Sequence, residues 1–149
     1  MSSNFDKLKD FHRVFDNGYK DPNIENKERI LLRGKLMLEE LQEVLDELGL
    51  HIVLDQHYNP IVQFDVYKQG KPINKAKVAK ELADLLYVTY GSGETMDIPM
   101  DEVFAEVHRS NMSKMHPDGT VRYREDGKIL KGDWYSPADI ETVLKKYAS

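Results

Sequence analysis

The stretch Glu81-Leu82-Ala83-Asp84-Leu85-Leu86-Tyr87-Val88 sets two carboxylates inside the densest apolar run of the chain. From Asn74 to about Thr95 the pattern is helical, ended by the Gly91/Gly93 region. At about 100° per residue, Val78, Ala79, Leu82, Ala83, Leu85, Leu86 and Val88 occupy most of the helix circumference, which predicts burial on nearly all sides. Glu81 and Asp84 lie about 60° apart on this helix, bordered by Leu85 and Val88 rather than by a polar face. A carboxylate aimed inward neutralises, pairs with a cation or binds a metal, because a lone buried charge is too costly. Lys77 and Lys80 stand four residues before Glu81 and Asp84 and can supply intrahelical pairs, in the weaker lysine-first order. A divalent cation is the other supplier, since hard ions such as Mg²⁺ favour carboxylate oxygens and leave room for phosphate.

Working outward, the segment from about Glu25 to Gly49 reads as the longest helix, with Leu31, Leu38, Leu41, Leu45 and Leu48 as its apolar stripe and Gly49 as its stop. Glu39, Glu40, Glu43, Asp46 and Glu47 fill the opposite sector, and the three- and four-residue spacings of Glu39, Glu40 and Glu43 let their side chains converge. An acidic run on one helix is commonly a solvated face. Beside the inward Glu81 and Asp84 it becomes the second half of a four-carboxylate cage, Glu-x-x-Glu then Glu-x-x-Asp, across two antiparallel helices.

A further helix begins near Pro99 and runs to about Met115. Val103, Phe104 and Val107 make its stripe, and one turn on the same sector holds Asn111 and Lys114. Lys114 can meet a polyphosphate as a point charge and Asn111 can bond phosphate or ribose. The alternative is that Asn111 caps a fraying end and Lys114 reaches out to water. Phe5, Leu8, Phe11, His12 and Phe15 form a short amphipathic helix before an Asn17-Gly18 stop, and Asp21-Pro22-Asn23 makes a connector. Phe5, Phe11 and Phe15 read as core, with one of them or Tyr87 available to line a base pocket. Alternation at Val62, Phe64 and Val66 after Asn59-Pro60 predicts a β-hairpin insertion over about 51–72. A second small hairpin is expected over about 120–131 around Glu125-Asp126-Gly127-Lys128, then a helix started by Ser136-Pro137 and running through Lys145, with Trp134 anchoring the tail. The expected fold is thus all-α, a four-helix-type core with two β-hairpin insertions and a C-terminal helix, in a single domain over 1–149.

Composition agrees: 149 residues, 40% hydrophobic and 32% charged, suit one globular domain. The absence of cysteine removes disulfides, thiolate nucleophiles and thiolate-bound zinc, and points to a reducing, cytoplasmic setting. No segment reads as a signal core or a membrane span, so no membrane partner is expected. A net charge of -5 argues against a nucleic-acid partner, which calls for a basic face. The five histidines show no metal-ligand spacing, and phosphate-loop, dinucleotide-fold and nucleophile-elbow motifs are absent.

Glu40-Leu41-Gln42-Glu43, then Glu81 to Val88, then Glu106-Val107-His108-Arg109-Ser110-Asn111-Met112-Ser113-Lys114 together resemble the all-α nucleoside triphosphate pyrophosphohydrolases. That superfamily includes MazG-like house-cleaning enzymes, dimeric dUTPases and phosphoribosyl-ATP pyrophosphohydrolases, and the third segment is most similar to the MazG-like branch. The resemblance implies Mg²⁺, with Mn²⁺ as a substitute, held by Glu40, Glu43, Glu81 and Asp84 against a nucleoside triphosphate substrate. It implies Glu39 as an additional acid, a ligand or an activator of water, and Asn111 and Lys114 near nucleotide or phosphate. It also implies a homo-oligomer, dimer or tetramer. The 37 residues between Glu43 and Glu81 exceed the roughly two dozen usual in the family, and the excess falls in the 51–72 hairpin.

Triphosphate hydrolysis needs phosphate charge neutralised, water in line and a stabilised leaving group, and a two-metal carboxylate site does all three. In this scheme Glu39 or Glu40 orients the attacking water and Glu43, Glu81 and Asp84 hold the ions. The products expected are a nucleoside monophosphate and pyrophosphate, in a nucleotide-pool sanitising role. The alternatives are a phosphoribosyl-ATP pyrophosphohydrolase and a non-catalytic nucleotide-binding helical dimer.

Overall fold

A computed structural model of the chain describes residues 2–15, 26–68, 70 and 72–147. The fold is all-α with a small β insertion. Its elements are α1 (Asn4–Phe15), α2 (Lys27–Glu47), β1 (Leu50–Leu54), β2 (Pro60–Phe64), α3 (Lys75–Thr95), α4 (Met100–Met112) and α5 (Ile140–Tyr147). They fall in two compact units, Asp6–Met96 and Asp97–Ser149 together with Met1–Phe5. The expected Asn17-Gly18 stop and the Asp21-Pro22-Asn23 connector lie outside the described residues.

In the first unit α2 starts where Asn26 accepts the amide of Arg29 at 3.2 Å, and it ends at Leu48 with Gly49 at φ +71°. That left-handed conformation suits glycine, which has no Cβ to clash. α3 is capped by Asn74, whose Oδ1 accepts the amides of Ala76 and Lys77. The two helices run antiparallel: Lys77 at the start of α3 reaches Glu47 at the end of α2, while Gly91 near the end of α3 faces Arg33 near the start of α2. Gly91 and Gly93 do not stop α3; they are buried inside it, and the cap falls at Met96. The reason is close approach, since a Cβ on Gly91 would sit 3.2 Å from Arg33 Nη1 and 3.4 Å from His12 Nε2. Thr89, Ser92 and Thr95 hold their hydroxyls within the helix by donating to Leu85, Val88 and Gly91 carbonyls.

Two burial expectations are corrected here. The leucine stripe of α2 is covered only towards its C-terminal end: Leu31 is 58% and Leu38 51% exposed, with Leu41 exposed as well. Leu45 and Leu48, at its C-terminal end, are half-buried, as is Glu40, and Val44 is buried. Up to Val88, α3 is likewise covered on one side, along Val78, Glu81, Leu85 and Val88, whereas Leu82, Leu86 and Tyr87 are exposed; beyond it Gly91, Ser92 and Gly93 are all buried. In each case the two helices meet through the sectors that carry the acids.

The insertion between them is an antiparallel β1–β2 pair in the register Leu50↔Phe64, Ile52↔Val62, Leu54↔Pro60. It is shorter than the expected 51–72, because Asp65 accepts the Tyr67 amide and turns the chain before Val66 can join the strand. At its tip Asp55 accepts the amides of His57 and Asn59, which holds Tyr58 at φ +62°.

In the second unit α4 ends at Met112 with Ser113 as its cap, so Lys114 lies just beyond the helix instead of on it. The region 120–131 is a minimal hairpin with one bridge, Tyr123↔Ile129, and Gly127 at φ +80° in its turn. The chain then crosses close behind α4: Gly132 donates to the Lys114 carbonyl, and a Cβ there would lie 2.7 Å from the Met115 oxygen. Glu106 and Arg109 of α4 tie down the segment that leads to α5, through the Asp139 amide at 2.8 Å and the Pro137 carbonyl at 2.9 Å. The cap of α5 is Asp139, which accepts from Thr142, three residues past the Ser136 expected from sequence. Trp134 does not bury itself as an anchor; its side chain is exposed.

Candidate active site

The covered faces of α2 and α3 bring acids of both helices together. One carboxylate oxygen each of Glu40, Glu43 and Glu81 lie within 4.8 Å of one another. Glu81 is buried, at 9% exposure, while Glu40 is half-buried and Glu43 exposed, so the trio opens outward from a closed floor. Val44 is buried and Leu85 half-buried, and the spacing of four from Glu40 to Val44 and from Glu81 to Leu85 aligns acid and apolar side chains on one face of each helix.

Crowding of like charge marks the electrostatics. Glu43 holds its proton above the ordinary carboxylate range, first through a hydrogen bond shared with Glu81 and then through partial burial and its neighbours' charge. Glu40 is raised too, first by desolvation and next by the charge of Asp84. Ionised acids that converge this closely require a cation. Lys80 is one: its ammonium lies 3.0 Å from Glu81 Oε2 and 2.9 Å from Asp84 Oδ2, and these contacts raise its own pKa. One positive charge among four acids leaves an excess of negative charge. An all-oxygen donor set of this kind fits a hard divalent cation such as Mg²⁺ or Mn²⁺ and is unsuited to soft, thiolate-seeking metals.

The individual site residues stand as follows. Glu40, Glu43 and Glu81 form the converging trio, and Asp84 joins it through Lys80 from a more exposed position than its sequence context suggests. Glu39 is exposed beside Glu40 and adds to the negative charge there. Tyr87, one turn after Asp84, meets Phe11 of α1 edge-on with ring centroids 5.4 Å apart, and Phe11 in turn tilts against Phe15 at 4.5 Å. Phe11 and Phe15 are exposed, so they make a ledge rather than a core. Asn111 and Lys114 belong to the other unit, where the lysine donates to Asn111 Oδ1 at 2.7 Å. Lys77 does not pair with Glu81; it reaches across to Glu47 at 3.2 Å.

Two features escaped the sequence. His12 Nδ1 stands 3.7 Å from Glu94 Oε2, both side chains largely buried, and this pair fixes α1 against α3. No local signal could have found it, because its members are far apart in the chain and each alone reads as a neutral choice for a helix. The bridging role of Lys80 was half visible: the spacing gives the Asp84 contact, but the Glu81 contact needs the side chain's actual path. A separate cleft of about 660 Å³ lies between the end of α2, the hairpin base and the start of α3. Its described lysines are engaged with acids, Lys68 with Asp46 and Lys77 with Glu47.

Residues 8–111 match a family model described as phosphoribosyl-ATP pyrophosphohydrolase. No curated protein matches the chain in sequence. Among solved structures 24 chains match. One is the crystal structure of a candidate NTP pyrophosphohydrolase from Exiguobacterium sp. 255-15. It is 22% identical over 98% of this chain and 97% of that one, with a TM-score of 0.46.

Proposed function

The chain belongs to the phosphoribosyl-ATP pyrophosphohydrolase family, a family of hydrolases acting on pyrophosphate bonds, and on that premise we propose that it cleaves nucleoside triphosphates to monophosphate and pyrophosphate with Mg²⁺. The observation that carries this reading is the convergence of Glu40, Glu43 and Glu81 within 4.8 Å. Glu40, Glu43, Glu81 and Asp84 hold the divalent ion, with Mn²⁺ able to replace Mg²⁺. When bound, that ion neutralises polyphosphate charge and acts as a Lewis acid on the phosphoryl group. Glu40 takes the proton of the attacking water, with Glu39 beside it to orient that water. The water oxygen bonds to the α or the β phosphorus, the anhydride bond between them breaks, and the departing phosphate oxygen, of pyrophosphate or of the monophosphate respectively, carries away the electron pair.

The ledge of Tyr87, Phe11 and Phe15 offers an apolar face to a nucleobase one turn from Asp84. Asn111 and Lys114 are proposed as nucleotide contacts from their sequence positions. The whole chain acts as one MazG-like domain in the cytoplasm, with a nucleotide-pool sanitising role. It works as a homo-oligomer whose partner covers the exposed Leu31, Leu38 and Leu41 face of α2. Sedimentation would test the last point: Leu38→Glu releases monomers, and a wild-type chain that is already monomeric overturns it.

The test of the activity is incubation with a panel of ribo- and deoxynucleoside triphosphates, with Mg²⁺ or with chelator, and separation of products by anion exchange. Monophosphate with pyrophosphate, formed only with metal, is the expected result; diphosphate with phosphate, or no product, refutes it. The matched family description favours one second reading, that the preferred triphosphate is phosphoribosyl-ATP. Including that compound in the panel separates the two by relative kcat/KM.

A further inference from the structure

Between the acids of α3 lies a group that the proposed reaction does not use. Lys80 directs its ammonium to Glu81 Oε2 at 3.0 Å and to Asp84 Oδ2 at 2.9 Å, while most of its side chain, 64% exposed, stays in water. We propose that Lys80 is a tethered counter-ion: without metal it takes a cation's place among the carboxylates, and it swings out when a divalent ion binds, so that it sets the metal affinity. The inference rests on the metal-binding reading of the cluster given above.

Three observations carry it. The ammonium engages oxygens of the same acids that a divalent ion needs, and two cations cannot share those atoms without repulsion. The neighbouring lysine is not a substitute, since Lys77 is committed to Glu47 on α2. The exposed four-carbon stem can rotate into solvent with little rearrangement, and an ammonium is a compact, well-hydrated charge there. Without Lys80, the four acids would face one another with no close cation among the described residues, and mutual repulsion would splay them. With it, the cage stays assembled before metal arrives, at the expense of competition with the metal. The raised proton affinity of Glu40 and Glu43 agrees with a single lysine that offsets only part of the negative charge.

Mn²⁺ binding to the full chain, followed by the loss of the free-ion electron paramagnetic resonance signal, tests the proposal without reference to turnover. Exposed ion pairs are worth little individually, so two of them convert to about a three- to tenfold change in dissociation constant. Lys80→Met is expected to bind Mn²⁺ about three- to tenfold more tightly and to melt at lower temperature in chelator, with the deficit removed by saturating Mn²⁺. Lys80→Arg, which keeps the charge, returns affinity towards wild type. Unchanged or weaker Mn²⁺ binding in Lys80→Met overturns the counter-ion role. Glu43→Gln separates that failure from the broader one. If it loses binding while Lys80→Met matches wild type, only the role of Lys80 falls. If wild type itself takes up no Mn²⁺ and Glu43→Gln behaves identically, the metal reading and the counter-ion fall together.

Discussion

Replacing Glu81 by Gln removes one charge from the floor of the acidic trio while keeping shape and hydrogen-bonding capacity. Two effects oppose each other without metal. Repulsion from Glu40 and Glu43, within 4.8 Å, is relieved, and the 3.0 Å contact with Lys80 is weakened. The melting temperature in chelator should therefore move by no more than about 3 °C. With metal the two proteins should part. A ligand at a hundred times its dissociation constant stabilises the native state by about 2.7 kcal/mol. For a chain of 149 residues the unfolding entropy is ~0.3 kcal/mol/K, so wild type should gain about 9 °C. Glu81→Gln, left with one fewer anionic ligand, should gain less than about 2 °C at the same Mn²⁺ concentration. Paired thermal melts by circular dichroism, with chelator and with a Mn²⁺ series, give both numbers. A variant that keeps the full metal-induced rise would refute the placement of Glu81 in the site, and one that melts far lower in chelator would make its role structural.

Tyr87→Ala should raise KM for a nucleoside triphosphate about tenfold with little change in kcat, the scale of one lost base stack, and steady-state kinetics would show it; an unchanged KM removes the ledge from base recognition. Glu106 is held down to about 2 by Arg109 and the Asp139 amide. Its depressed folded-state pKa means that its stabilisation is present above the ordinary value of 4.5 and is lost as pH falls towards about 2. The Asp139 amide resonance, whose acceptor is Glu106, should lose its native position across that window, and Glu106→Gln should abolish that pH dependence. Gly132→Ala should destabilise the second unit by about 1–3 kcal/mol in urea titrations, because its Cβ would press on the Met115 oxygen and the His116 backbone, which cannot yield as a side-chain tip can.

Helix identity was legible because caps and periodicity are local. Asn74, Gly49 and the leucine spacing mark α2 and α3 to within a few residues of their ends. The pairing of Glu40 and Glu43 with Glu81 was legible as well, since acids at three- and four-residue spacing on two long helices can converge if the helices are antiparallel neighbours. What misled was the inference from a stripe to its partner. Leu31, Leu38 and Leu41 declare a face that is costly to leave in water, but a periodic pattern does not name the element that covers it, and α3 meets α2 along the neighbouring sector of Glu40 and Val44. Gly91 and Gly93 misled for a related reason. A glycine reads as a stop from sequence, yet in α3 the missing Cβ makes room for Arg33 and His12. The Phe11–Tyr87 contact and the His12–Glu94 pair depend on how α1 docks, which no spacing within α1 encodes.

Trp134 is the single tryptophan of the chain, and it lies exposed in the unit that follows Met96. Its emission therefore reports on that unit, whereas far-ultraviolet dichroism is dominated by α2 and α3, 21 residues each, in the other. One cuvette thus carries two optical channels that watch different parts of the molecule. Superimposable denaturation curves from the two channels would describe one cooperative transition, and a gap between them would give each unit its own stability.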